Sequence, residues 1–401
     1  MATARFDDLA PGTECSFRLA GLVDEWSATA PSEVVETLAR ADAVACSGRW
    51  VAGFVAYEAA TGLDSTLAVR ALDPGARGSR PARMPLAWFA AFERREPALP
   101  PRASGKPVRT TWTPSVGIDA YTAAVERIRS MIADGDTYQV NHTIRMRGRI
   151  DFDVRELYED LVLAQRGGFG ALLEAERFTV ASASPELFFR RDGDDVTTRP
   201  MKGTARRGRW ADEDERAAAR LRVSSKDRAE NAMIVDLLRN DLGRVAAAGT
   251  VSAGPLFELE RLETVWQMTS TVRARVPAET TLVDLFRALF PSGSVTGAPK
   301  VATMRAVAEL EDSPRGLYTG AIGYLSPPGS GEPRAIFNVA IRSVVVDAAT
   351  GDAEYGVGSG ITFASSAAAE YDEVLAKARV LTERRPGFDL VAPECPTACC
   401  G

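Results

Sequence analysis

Along DAYTAAVERIRSMIADGD (119–136), apolar residues recur every three or four positions. Tyr121, Val125, Ile128, Met131 and Ile132 carry the stripe, and Asp134-Gly135-Asp136 ends it, so the pattern predicts a helix. A second stripe, Met233, Ile234, Leu237, Leu238 and Leu242, runs through SSKDRAENAMIVDLLRNDLGRV (224–245), where Ser224 or Ser225 can cap the start. VATMRAVAELE (301–311) and SSAAAEYDEVLAKARVLTE (365–383) read as two further helices. The strand-like runs are longer. TYQVNHTIRMRGRI (137–150) alternates apolar and polar, and residues 178–204 read as strands turning at Asp192-Gly193-Asp194. TGAIGYLS (319–326), RAIFNVAIRSVVVD (334–347) and AEYGVGSGITF (353–363) follow as strands, and GRWVAGFVAYEAA (48–60) as a strand bending into a helix. Long β segments without βαβα alternation point to an α+β chain with antiparallel sheet.

DPGARGSRPARMP (73–85) reads as a loop and PALPPRASGKP (97–107) as a linker. This divides the chain into an N-terminal segment (1–110) packing on a core (111–385), with a disordered tail (386–401). The 401 residues carry 48 basic and 54 acidic side chains, a net charge of −6 that disfavours general nucleic-acid binding. No run reaches the ~18 apolar residues of a membrane span, and MATARFDDLAPG lacks a signal-peptide pattern, so a cytoplasmic location is expected. The five cysteines are scattered: Cys15, Cys46 and a tail cluster of Cys395, Cys399 and Cys400 do not form a disulfide framework. The single histidine, His142, leaves acid–base work to carboxylates, lysine or tyrosine.

Four constellations carry chemistry. Asp227 and Glu230 lie three apart near the start of one helix, and Glu370 and Glu373 near the start of another. Each pair either favours its helix dipole from solvent or, if the two converge, supplies oxygens to Mg2+. FPSGSVTGAPKVATM (290–304) resembles a phosphate loop but departs from its spacing, and reads equally as an anion-holding turn or a structural one. In TTRPMKGTARRG (197–208), Lys202 is the one lysine, and Glu186 in SASPELF precedes it by a hairpin's length. The two form either an acid and a nucleophile or a cross-strand ion pair. Glycines in YGVGSGITF signal close approach of a ligand or backbone, and Arg342 in an apolar run wants a carboxylate.

SPE, RPMKGTARRG, KDRAENAMIVDLLRNDLGRV, PSGSVTGAPK, GAIGY, AIRS, GSGIT and AEYDEVLAKA occur in one order. In that order the chain resembles the chorismate-utilising enzymes over roughly residues 114–385. These comprise anthranilate synthase large subunits, isochorismate and salicylate synthases, and aminodeoxychorismate synthase component I. The resemblance implies mostly antiparallel sheets packed as a sandwich with helices outside. Lysine at 202, where anthranilate and isochorismate synthases typically have alanine, is most like aminodeoxychorismate synthase. Gln139 stands where isochorismate and salicylate synthases carry a lysine base.

What the resemblance implies is amination of chorismate to 4-amino-4-deoxychorismate for 4-aminobenzoate and folate synthesis. Ammonia would come from a glutamine amidotransferase partner. Lys202 is the implied nucleophile, with Arg206 and Arg207 expected to help lower its pKa, and Glu186 is the implied acid and base. Glu230 and Glu373, with partners Asp227 and Glu370, are the implied Mg2+ ligands. Arg342 and Tyr324 are expected at a substrate carboxylate, with backbone from Gly203, Thr204 and Gly360. Gln139, Thr296, Gly358 and Lys377 complete the expected substrate contacts. Gln267 replaces a histidine of anthranilate synthases, and His142 reads as a packed side chain. The alternatives are an anthranilate synthase component I and, in another class, a non-catalytic anion-binding regulatory subunit.

Overall fold

The computed structural model describes residues 1–70, 84–103, 110–262 and 265–381. Most of the loop at 73–85, the last four residues of the linker at 97–107, the tail at 386–401 and its three cysteines lie outside the described residues. Cys15 and Cys46 are exposed thiols. Among the described residues no helix is long and apolar enough to cross a membrane.

One antiparallel ribbon runs through the molecule. It starts at Trp112–Pro114 and passes through Gln139–Arg149, Asp352–Ile361, Ser343–Asp347, Phe178–Ser184 and Phe169–Glu174. Thr3–Asp8, Cys15–Ala28, Ala87–Pro97 and Trp50–Val55 continue it. It then follows Ala321–Leu325, Ala335–Val339, Leu187–Asp192, Asp195–Arg199 and Val272–Arg275. The strands drawn from residues 3–97 therefore occupy the middle of the ribbon and join its two halves.

The ribbon folds back on itself. Phe54 and Trp88 meet Phe178 edge-on at 5.5 and 5.7 Å, although their strands are well separated in ribbon order. Phe6, Phe17, Trp50, Phe92 and Leu173 fill the same layer between the halves. The opposite faces pack on helices: Val51, Val55, Phe89 and Ala91 share a core with Leu38, Ala41 and Ala45 of the helix Val34–Cys46. Every residue of Trp50–Val55 is buried, as a strand covered on both faces requires. The fold is thus α+β, with a large antiparallel sheet and helices on its outer faces.

The long helices form where the apolar stripes fall: Ile118–Ala133, Ser225–Gly243, Lys300–Leu310 and Ala367–Ala378. Ser224 is the cap at 225, its side chain accepting from the Asp227 N–H. Gly193 turns the hairpin at φ 58°. The run 334–347, read as one strand, is two, broken at Arg342 with φ 53°. A separate three-stranded sheet, Met201–Arg206, Val265–Thr269 and Glu258–Arg261, carries Lys202 beside the ribbon.

Candidate active site

Lys202 sits on a β-bulge. Met201 pairs with Thr269 and Thr204 with Gln267, so one extra residue is accommodated on the lysine's strand. Gly203 takes φ +90°, and a Cβ there would stand 3.0 Å from Asp227 Cβ. Bulged strands re-aim side chains, and Lys202 is aimed at acids: Glu186, Glu230 and Glu373 all act on its ammonium. Burial nevertheless holds the Lys202 pKa below its ordinary value, and the nearby cation is Lys377. Arg206 and Arg207 do not fill the role expected of them. Arg207 is spent on Asp214 at 2.7 Å and on the face of Trp266.

Glu186 lies in the turn between Phe178–Ser184 and Leu187–Asp192, and is 4% exposed. Burial pushes its carboxyl up to about 7, against hydrogen bonds from Ser294 and Met201 and the charge of Lys202. Ser294 Oγ donates to Glu186 Oε1 at 2.5 Å and meets Ser292 Oγ at 3.0 Å. The loop motif PSGSVTGAPK thus supplies a hydroxyl to the acid, a role not read from its glycines. Its lysine is occupied elsewhere, with Lys300 Nζ 2.8 Å from Asp241.

The two carboxylate pairs converge. Glu230 feels Asp227 and Glu370 as like charges and Lys202 and Lys226 as opposite ones, and burial first of all raises its pKa. Glu370 accepts from Ser365 Oγ at 2.7 Å, and Glu373 pairs with Lys377 at 2.7 Å. Among the described residues no three Asp, Glu, His or Cys side chains close into a ready-made metal cage. The donors present still suit Mg2+, which takes hard oxygens, needs only one or two carboxylates and keeps several waters. A cation would also relieve the repulsion that Glu230 meets from Asp227 and Glu370.

Lys377 Nζ also donates to Gly358 O at 2.9 Å, which ties the strand Asp352–Ile361 to the cluster. Gly360 leaves room for Gln139, whose Nε2 would stand 2.1 Å from a Cβ there. Both polar atoms of Gln139 are buried without a partner. Thr296 is buried, its hydroxyl turned back to Ser292 O and Gly293 O. Thr204 Oγ1 donates to Gln267 Oε1 at 2.9 Å. Arg342 donates to Gln165 Oε1 at 3.4 Å and its charge acts on Tyr355, and no protein carboxylate pairs with it among the described residues.

Tyr324 is a correction. It lies in the aromatic layer between the sheet halves, against Phe6, Phe17 and Trp50, and its charged neighbours are Glu332, Arg95 and Arg190. None of these belongs to the Lys202 cluster. His142 is packed as expected, 5.1 Å from the Tyr121 ring.

The chorismate binding enzyme family matches residues 3–383. Aminodeoxychorismate synthase component 1 of Escherichia coli (strain K12) is 39% identical over 266 residues, 66% of this chain and 57% of that protein. Anthranilate synthase component 1 1 of Haloarcula marismortui is 37% identical over 70% of this chain and 57% of its own length. The matched segment thus spans little more than half of these relatives. The crystal structure of anthranilate synthase component I from Streptococcus pneumoniae TIGR4 shares the fold, with a TM-score of 0.74 at 24% identity over 96% of this chain and 92% of that one. Since the family match takes in nearly the whole described sequence, from the first strand to the last helix, the chain belongs to the chorismate binding enzymes.

Proposed function

We propose that the protein aminates chorismate, giving 4-amino-4-deoxychorismate, with ammonia from a glutamine amidotransferase partner. One arrangement carries the reading: the partly buried Lys202 on its bulge is set toward the buried Glu186, and burial displaces both groups toward their neutral forms. A neutral amine is a nucleophile, and a neutral carboxyl is an acid. Lys202 Nζ attacks ring carbon C2 as the C4 hydroxyl departs with the proton of Glu186. Ammonia then adds at C4, the bond from C2 to Lys202 breaks, and Glu186 takes up a proton released by the incoming nitrogen. Arg342, without a protein carboxylate, is free to hold one from substrate. Gln139, buried and unpartnered, offers a donor and an acceptor but no base.

Mg2+ bound by Glu230 and Glu373, with Asp227 and Glu370 behind them, would neutralise and orient a substrate carboxylate. The designation of the Escherichia coli relative as component 1 supports a second component that delivers nitrogen. The purified chain with chorismate, Mg2+ and ammonium is expected to form 4-amino-4-deoxychorismate, detected by mass spectrometry. Fluorescent anthranilate formed without any added lyase would replace this reading with anthranilate synthesis. No Mg2+-dependent chorismate binding in calorimetry would favour the regulatory alternative.

A further inference from the structure

The bulge at Lys202 and Gly203 leaves both residues without an opposite number on Val265–Thr269. Backbone carbonyls displaced from a ladder need other donors. Here two side-chain amides supply them. Gln267 Nε2 donates to Gly203 O at 2.8 Å, and Asn231 Nδ2 donates to Lys202 O at 3.4 Å. Each amide is itself fixed through its oxygen, Gln267 by Thr204 Oγ1 at 2.9 Å and Asn231 by Ser270 Oγ at 2.5 Å. Gln267 reaches from the neighbouring strand and Asn231 from the helix Ser225–Gly243, so the bulge is gripped from two elements.

We propose that Gln267 and Asn231 are positioning residues, a carboxamide clamp that holds the bulge and so aims Lys202 at Glu186 and the acids of the two helices. The proposal rests on the reading of Lys202 as the reacting amine. The physical reason is the period of a strand. Removing the extra residue's support lets the strand slip toward regular pairing, and a slip of one residue turns a side chain to the opposite face. Lys202 would then leave its partly buried place and regain the behaviour of an exposed lysine. Gln267 is suited to this role because a carboxamide donates and accepts at once.

The test is competitive acylation of the full-length chain by a small amine reagent over a pH series, read lysine by lysine by peptide mass spectrometry. The wild-type profile of Lys202 is the reference. In the wild-type chain burial should hold Lys202 below an ordinary lysine. In Gln267→Leu, and in Gln267→Glu, which keeps the bond from Thr204 but loses the donor to Gly203 O, the Lys202 profile should move up. A one-unit move reduces its labelling about tenfold near pH 8. A lowered Tm with an unmoved Lys202 profile in either folded variant would mean a merely structural role and overturn the clamp. Moved profiles in the variants, together with a wild-type chain that fails to aminate chorismate, would support the clamp and sink the catalytic reading instead.

Discussion

At the level of single residues, burial drives Glu186 and Lys202 in opposite directions, and each shift has a measurable consequence. A carboxyl raised to about 7 in the folded chain and ordinary when unfolded binds its proton more tightly on folding. Its contribution to stability is complete below the unfolded pKa and is lost as pH rises through about 7. Glu186→Gln should therefore be more stable than wild type at pH 8, by on the order of 3 kcal/mol, and little changed at pH 4, in urea denaturation. The same substitution should lower amination by about 10²–10⁴-fold, because the departing hydroxyl loses its acid. Lys202→Ala should abolish any mass adduct with substrate and lower ammonia incorporation, in intact-mass and product assays. Gly203→Ala meets both a left-handed φ and Asp227 Cβ at 3.0 Å, so it should cost activity through the bulge even though neither side chain reacts. The lysine and carboxyl of the proposed reaction were legible through the family resemblance because RPMKGT and SPE are local strings. The contacts of Ser294 and Gln267 were not, since each joins segments far apart in the chain. Tyr324 was misplaced for a related reason: its motif identifies a strand but not which layer its tyrosine faces.

Among the elements, the turn Gly293–Thr296 and the strand Gln139–Arg149 are pinned by one buried arginine. Arg315 donates to Val295 O at 2.8 Å and Asn141 O at 2.7 Å, and pairs with Glu311 at 2.7 Å. Glu311 accepts in turn from the Thr143 N–H and Oγ1. The pair lies behind the turn that presents Ser294 to Glu186. Both side chains are all but fully buried, so removing one charge strands the other. Glu311→Gln should lose about 3–5 kcal/mol of stability in urea denaturation. Helix positions were readable because a 3.6-residue stripe is a strong signal. The break at Arg342 was not, because a single left-handed residue leaves the apolar pattern on either side intact.

For the whole molecule, the antiparallel α+β class could be read from strand lengths, whereas the order of strands could not. Periodicity reports which residues face inward but not which strand is the neighbour. The boundary near residue 100 is where this matters. Because Thr3–Asp8, Cys15–Ala28, Trp50–Val55 and Ala87–Pro97 join the ribbon's halves, a chain cut to residues 111–385 should not fold cooperatively. Near-ultraviolet circular dichroism of that fragment should show no fixed aromatic packing, and a cooperative melt would contradict the prediction.

The pairing of Gln139–Arg149 with Asp352–Ile361 also sets a schedule for biosynthesis. The later strand leaves the ribosome roughly 200 residues after the earlier one, a delay of about 10–40 s at ~5–20 residues per second. Through that interval the strand that carries Gln139 lacks its long neighbour, and the helix bearing Glu370 and Glu373 has not been made. No partly synthesised chain can hold the proposed reaction site. The nascent protein instead displays an unpaired β edge, the kind of surface that chaperones guard.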